Sequence, residues 1–129
     1  YLMGVGKPND IIEAVYRGVD IFDCVAPTRN ARHGALFCGK LVRQDDWLTF
    51  EPIEPRGRLL IKRGCYAKDT NPIMPDCECY TCTHHNRAYL HHLFKHHSVA
   101  YIHLASIHNT HVMLKTCHMM QEIIKNPKA

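Results

Sequence analysis

Three thiols fall within six residues, in the run Cys77-Glu78-Cys79-Tyr80-Thr81-Cys82. Thiolates at Cys-x-Cys-x-x-Cys spacing suit a divalent ion, and zinc takes four nitrogen or sulfur ligands tetrahedrally in closed structural sites. Asp76 and Glu78 add negative charge around the cluster, which favours a dication. On spacing alone the fourth ligand is open. The chain has eleven histidines; His84, His85, His91, His92, His96 and His97 lie nearer to the thiols, and His108 stands a helix length beyond them. Disulfides are disfavoured, because seven cysteines is an odd number and no apolar leader stretch marks the chain for export.

Asp23 is a second chemical candidate. It lies near the end of an apolar run, residues 19–25, that reads as a strand. Parallel α/β folds place their chemistry beyond the carboxyl ends of strands. The plain alternative is a carboxylate that hydrogen-bonds a loop, and Asp20 is the plainer of the two. Residues 27–32 read as a loop carrying Arg29 and Arg32. Their guanidinium forks could hold phosphates or base edges, or pair with Asp20 or Asp23 inside the fold.

These groups need a frame. Residues 1–5 read as a buried strand stopped by Gly6-Lys7-Pro8, and a helix follows from Asn9 or Asp10 to Arg17 with Ile11, Ile12 and Val15 inward. With the strand at 19–25 this makes a β-α-β unit whose strands should run parallel. Its turn at residues 4–10 and the segment at 23–32 then share one edge. Residues 35–38 and 58–62 read as short strands, and residues 39–55 as an insertion or long hairpin. A helix is expected over 83–95, an extended piece over 101–104, and a last helix capped by Asn109-Thr110.

The totals fit one small α/β unit or part of a larger protein: 129 residues, 46% hydrophobic, net charge +4 with histidines neutral. That modest basic excess permits a polyanionic partner. No apolar run is long enough for a bilayer, so no membrane partner is expected, and free cysteines point to the cytoplasm. Tyr1 begins inside an apolar run, as a piece of a longer chain would.

Several stretches resemble the bacterial-type tRNA-guanine transglycosylases. They are Tyr1-Leu2-Met3-Gly4-Val5-Gly6-Lys7-Pro8, Asp20-Ile-Phe-Asp23-Cys-Val-Ala-Pro-Thr-Arg29-Asn-Ala-Arg32, the thiol cluster, Arg87-Ala88-Tyr89-Leu90-His91-His92-Leu93, and Ile107-His108-Asn109. The resemblance covers nearly the whole chain except roughly residues 39–56. It implies the C-terminal part of a (β/α)8 TIM barrel with a zinc-binding subdomain. Residues 1–38 would hold the last β/α units with the nucleophile and RNA-contact loops. Residues 39–57 would be an insertion, and 58–129 the zinc subdomain and closing helix.

The implied activity is exchange of guanine at the wobble position of GUN-anticodon tRNAs for a 7-deazaguanine, either the queuine precursor or queuine. Asp23 would be the nucleophile, forming a covalent aspartyl-RNA intermediate. Met3 would stack on the bound base; a strand methionine is otherwise core. Gly4, Val5, Gly6, Lys7, Pro8, Asn9 and Asp10 would contact RNA, as would Thr28, Arg29, Asn30, Ala31 and Arg32. Cys77, Cys79, Cys82 and His108 would hold zinc, and the intact enzyme would be a homodimer.

The upstream acid/base would lie outside this chain, which alone would be inactive and whose first β-α-β unit would lack support. The other cysteines, Cys24, Cys38, Cys65 and Cys117, read as buried fillers. The competing reading is a non-catalytic, zinc-stabilised RNA-binding or partner subunit of the same family. Such subunits lose the aspartate and the Pro-Thr-Arg run, which this chain keeps as Asp23 and Pro27-Thr28-Arg29.

Overall fold

Pro8 occupies the first turn of a helix, where its missing N–H leaves no bond unmade, and that helix, α1 (Pro8–Tyr16), buries Ile11 and Ile12. It connects two parallel strands, β1 (Leu2–Met3) and β2 (Phe22–Asp23), with Leu2 opposite Phe22 and Met3 opposite Asp23. The β-α-β unit is therefore present, with strands shorter than the apolar runs suggest. The structure is a computed structural model describing residues 1–127; the final two residues of the 58–129 segment lie outside it.

The segment after Asp23 is a helix, α2 (Ala26–Arg32), rather than the loop expected at 27–32. Pro27 misleads here, because in the first helical turn proline starts a helix instead of breaking one. Strand β3 (Ala35–Phe37) follows, wholly buried. Residues 39–52 form an antiparallel hairpin, β4 (Gly39–Gln44) and β5 (Trp47–Pro52), closed by Asp45-Asp46 with Asp45 at φ 52°. Strand β6 (Arg58–Leu60) returns antiparallel to β3, with Phe37 opposite Arg58. These three two-stranded pairs are the sheet structure among the described residues, so β1 and β2 keep unpaired outer edges.

The hairpin supports the first unit. Asn9 Nδ2 donates to the Phe50 carbonyl at 2.9 Å, and the Phe50 N–H donates to Asn9 Oδ1 at 3.0 Å. Trp47 Nε1 donates to the Ile12 carbonyl at 3.1 Å. The expectation that residues 1–25 stand without local support is thus corrected for α1.

Three helices complete the chain: α3 (Tyr80–His84), α4 (Arg87–Lys95) and α5 (Val99–Lys125). The single helix expected over 83–95 is broken at His85-Asn86, because Asn86 caps α4 by accepting from the Tyr89 N–H. The extended piece expected at 101–104 is helical, and α5 starts ten residues ahead of the expected cap at Asn109. Ser98 is its N-cap, accepting from the Ala100 N–H at 3.2 Å. One buried cluster joins Ile11 and Ile12 to Leu36, Phe50, Leu59, Ile73, Leu90, Tyr101 and Val112. No helix among the described residues is long and apolar enough to cross a membrane.

Candidate metal centre and strand-end carboxylate

Met74 is buried, Asp76 adopts φ 63°, and the chain turns there, with Cys77 ahead of α3, Cys79 at its N-cap and Cys82 in its first turn. The Cys79 sulfur also caps α3 by accepting from the Cys82 N–H at 3.3 Å. His108, fully buried on α5, faces the three sulfurs through Nδ1 at 3.7 Å from Cys77, 3.5 Å from Cys79 and 3.4 Å from Cys82. Its Nε2 donates to the Phe37 carbonyl at 2.8 Å, which leaves the Nδ1 lone pair turned toward the sulfurs.

The donor set fits a tetrahedral ion. A nitrogen about 2.0 Å and a sulfur about 2.3 Å from a shared tetrahedral centre stand about 3.5 Å apart. All four ligand atoms lie within 4.8 Å of one another. The nearer histidines are occupied elsewhere: His84 stacks on Tyr80, His85 on Tyr89, and His91 bonds the Ile61 carbonyl.

Burial disfavours the His108 cation, yet hydrogen bonds with Cys77 and Cys79 outweigh it and raise the ring to about 9. Hydrogen bonds from Cys77 and Cys82 hold Cys79 far below the ordinary thiol range, while the same crowding pushes Cys82 far above it. Without an ion, the four groups must share protons. An ion displaces those protons, so its binding depends on pH.

Next to His108, Asn109 is fully buried and every polar atom of its side chain is bonded. Its Oδ1 accepts from the Phe37 N–H at 3.0 Å, and its Nδ2 donates to the Pro27 carbonyl at 2.9 Å and the Ala35 carbonyl at 3.1 Å. Tyr101, two turns earlier on α5, donates from its hydroxyl to the Ala31 carbonyl at 2.8 Å. Helix α5 thus holds both ends of α2 as well as the metal ligand. Asn109→Ala should leave the Phe37 N–H and the Ala35 carbonyl unmatched in the interior. It should destabilise the folded protein by about 3 kcal/mol, measured by urea melting, and a loss below about 1 kcal/mol would contradict this role.

The thiol approach is fixed separately. Arg87 donates to Asp69 at 3.1 Å and to the carbonyls of Pro72 and Ile73 at 2.9 and 3.0 Å. Burial works against the Asp69 charge, but hydrogen bonds from Asn71 and Arg87 hold its carboxyl below the usual range.

Asp23 is exposed at the end of β2, and Tyr1 donates its hydroxyl to Asp23 Oδ2. The Gly4 N–H bonds the Asp23 carbonyl at 2.9 Å, which ties the two turns together. Gly6 makes their approach possible: a Cβ there would stand 2.5 Å from Ala26 Cβ and 2.8 Å from the Cys24 sulfur. Met3 is 69% exposed, so it is not core within this chain.

Of the residues expected to meet RNA, Gly4, Lys7, Asp10, Thr28, Arg29 and Arg32 are exposed, and Val5 and Asn30 half-buried. Gly6, Pro8 and Ala31 face inward, and the Asn9 amide is bound to the hairpin. Neither Arg29 nor Arg32 is in an ion pair among the described residues, where the pairs are Arg17–Glu13 and Arg87–Asp69. Cys38 is a buried filler whose burial pushes its thiol up to about 11. Cys24 and Cys117 are half-buried, but Cys65 is exposed, contrary to expectation, because it lies in the surface turn at Gly64–Tyr66.

The site and fold together define an α/β unit with a three-cysteine, one-histidine cluster that could hold a metal ion and a strand-end carboxylate. The family model described as queuine tRNA-ribosyltransferase matches residues 1–128, and the chain belongs to that family. Proteins named queuine tRNA-ribosyltransferase from Thermoanaerobacter sp. and Lysinibacillus sphaericus are 41% and 42% identical over 128 residues, covering 99% of this chain. One from Desulforudis audaxviator is 44% identical over 124 residues, 96% of this chain. The chain spans 29–30% of the length of these curated relatives.

Proposed function

We propose that the protein carrying this chain is a tRNA-guanine transglycosylase, and that this chain supplies its nucleophile, its wobble-reading helix and its structural metal site. The observation that supports this most is the exposed Asp23 carboxylate at the end of β2, held against the β1 turn with α2 directly after it. The remaining strands of a (β/α)8 barrel would come from upstream and pair the open edges of β1 and β2. The enzyme would be a cytoplasmic homodimer.

In this reading α2 anchors the RNA around a flipped-out guanine, with Arg29 and Arg32 on phosphates or base edges. Asp23 attacks the ribose anomeric carbon as the glycosidic bond to guanine breaks, and the upstream acid/base protonates the departing guanine. The anion suits an oxocarbenium-like transition state, and the product is a ribosyl ester. The incoming 7-deazaguanine attacks the same carbon, loses a proton to an upstream base and frees the Asp23 carboxylate. Cys77, Cys79, Cys82 and His108 would hold zinc, which when bound supplies a crosslink and no step of the reaction.

The test is exchange of labelled guanine into a GUN-anticodon tRNA by the full-length protein. Arg29→Ala or Arg32→Ala should raise the KM for tRNA roughly tenfold while the melting temperature stays within about 2 °C. A fall of several degrees with unchanged KM would make the arginines structural. No exchange by the unaltered protein with either deazaguanine would overturn the reading.

A further inference from the structure

The hairpin of β4 and β5 takes no part in the proposed reaction, and its seam with α1 is only partly closed. A groove of about 720 Å³ runs there, with Glu13 and Tyr16 on the helix side and Asp45, Asp46 and Trp47 on the hairpin side. Its walls are fixed, because the Asn9 amide bonds the Phe50 backbone and the Trp47 indole bonds the Ile12 carbonyl.

The lining joins an aromatic face to negative charge. Tyr16 is 68% exposed, and its ring leans on Trp47 with centroids 5.9 Å apart and planes tilted 54°. In a chain of net charge +4, no lysine, arginine or histidine lines this groove among the described residues. Asp45 and Asp46 are exposed and in no ion pair among the described residues, whereas Glu13 is paired with Arg17. The negative faces of aromatic rings and nearby carboxylates attract the same ligand, a cation, and they repel RNA.

The aromatic end of the groove also lies away from Asp23. Helix α1 begins just after the β1 turn, and Tyr16, its last residue, stands about 12 Å along the helix axis from Pro8. We propose that this groove docks an arginine- or lysine-bearing segment of a protein partner, with the cation on Tyr16 and Trp47 and against the carboxylates of Asp45 and Asp46. Charge complementarity selects the partner, and the aromatic pair supplies the desolvated anchor that such interfaces use. The docking site does not depend on the tRNA reading.

The experiment uses the full-length protein and a fluorescent peptide of alternating arginine and leucine, beside the same peptide with glutamate in place of arginine. The arginine peptide should bind, less tightly as salt rises, and the glutamate peptide should not. Tyr16→Ala should weaken binding roughly fivefold, the loss of one cation–π contact. Asp45→Asn with Asp46→Asn should weaken it at least as much. Asparagine accepts the positive φ of Asp45, so this variant keeps the hairpin turn. Asp20→Asn with Glu122→Gln removes the same charge from other exposed positions and should leave binding unchanged.

Unaltered affinity in both groove variants, or equal binding of the two peptides, overturns the docking site. Equal losses in the groove and control pairs reduce it to diffuse charge. Failure of the unaltered protein to bind the arginine peptide overturns it too. In that case a fall of several degrees in the melting temperature of Tyr16→Ala assigns the groove to the upstream part of the same protein. Dissociation of a dimer by Tyr16→Ala, seen by sedimentation, assigns it to a second copy instead. Because the peptides are read without tRNA, these outcomes stand apart from success or failure of base exchange.

Discussion

Replacing Asp23 by asparagine in the full-length enzyme should abolish base exchange and the denaturant-stable tRNA adduct, with tRNA affinity changed less than about threefold. The two effects separate because they come from different groups. The asparagine side chain would keep the shape and could still accept the Tyr1 hydroxyl, but a neutral amide neither stabilises an oxocarbenium-like centre nor forms the ester. Loss of a covalent nucleophile typically costs several orders of magnitude in rate. In the proposed function affinity would rest on exposed cations such as Arg29 and Arg32, which the substitution leaves in place. A variant that still forms the adduct would move the nucleophile elsewhere.

Removing His108, the proposed fourth metal ligand, should have the largest effect on stability. Its ring sits between the three sulfurs and the Phe37 carbonyl, and its neighbour Asn109 bonds Phe37, Ala35 and Pro27. Helix α5 therefore transmits loss of the ion to β3 and α2. His108→Ala should purify without zinc and lose about 4 kcal/mol or more, lowering the melting temperature by roughly 10 °C.

Chelation of the unaltered protein should release amide protection from residue 76 through α5, and then in α2. Acidification should act in the same direction, since His108, raised to about 9 without an ion, competes for its proton as pH falls. Zinc-free protein from a preparation without chelator, or an unchanged melt after chelation, would contradict the assignment. So would ligation by His84 or His85 in place of His108.

Much of this site could be read from the residues. The thiol spacing announced a cluster that could hold a metal, and the alternation of an apolar run, a proline-started helix and another apolar run announced the parallel β-α-β unit. His108 could not be chosen by spacing, because its selection depends on α5 being continuous from Val99. That continuity was obscured by Asn109-Thr110, a pair that normally caps helices.

Asn109 is instead buried mid-helix, where three tertiary hydrogen bonds override its preference for a helix start. Pro27 misled in the opposite sense, suggesting a loop where it begins α2. The docking of the hairpin on α1 has no local signature at all. It depends on Asn9 meeting the Phe50 backbone across forty-one residues of chain.

In the proposed reaction Asp23 carries the RNA during exchange. The direct measurement is to trap the full-length enzyme on a GUN-anticodon tRNA, digest both components and locate the ribose-phosphate-bearing peptide by mass spectrometry. The mass of one base-free ribose phosphate is expected on the peptide containing Asp23, and none when 7-deazaguanine is added before digestion. An adduct on Asp20 or on any upstream carboxylate, with Asp23 unmodified, would contradict it.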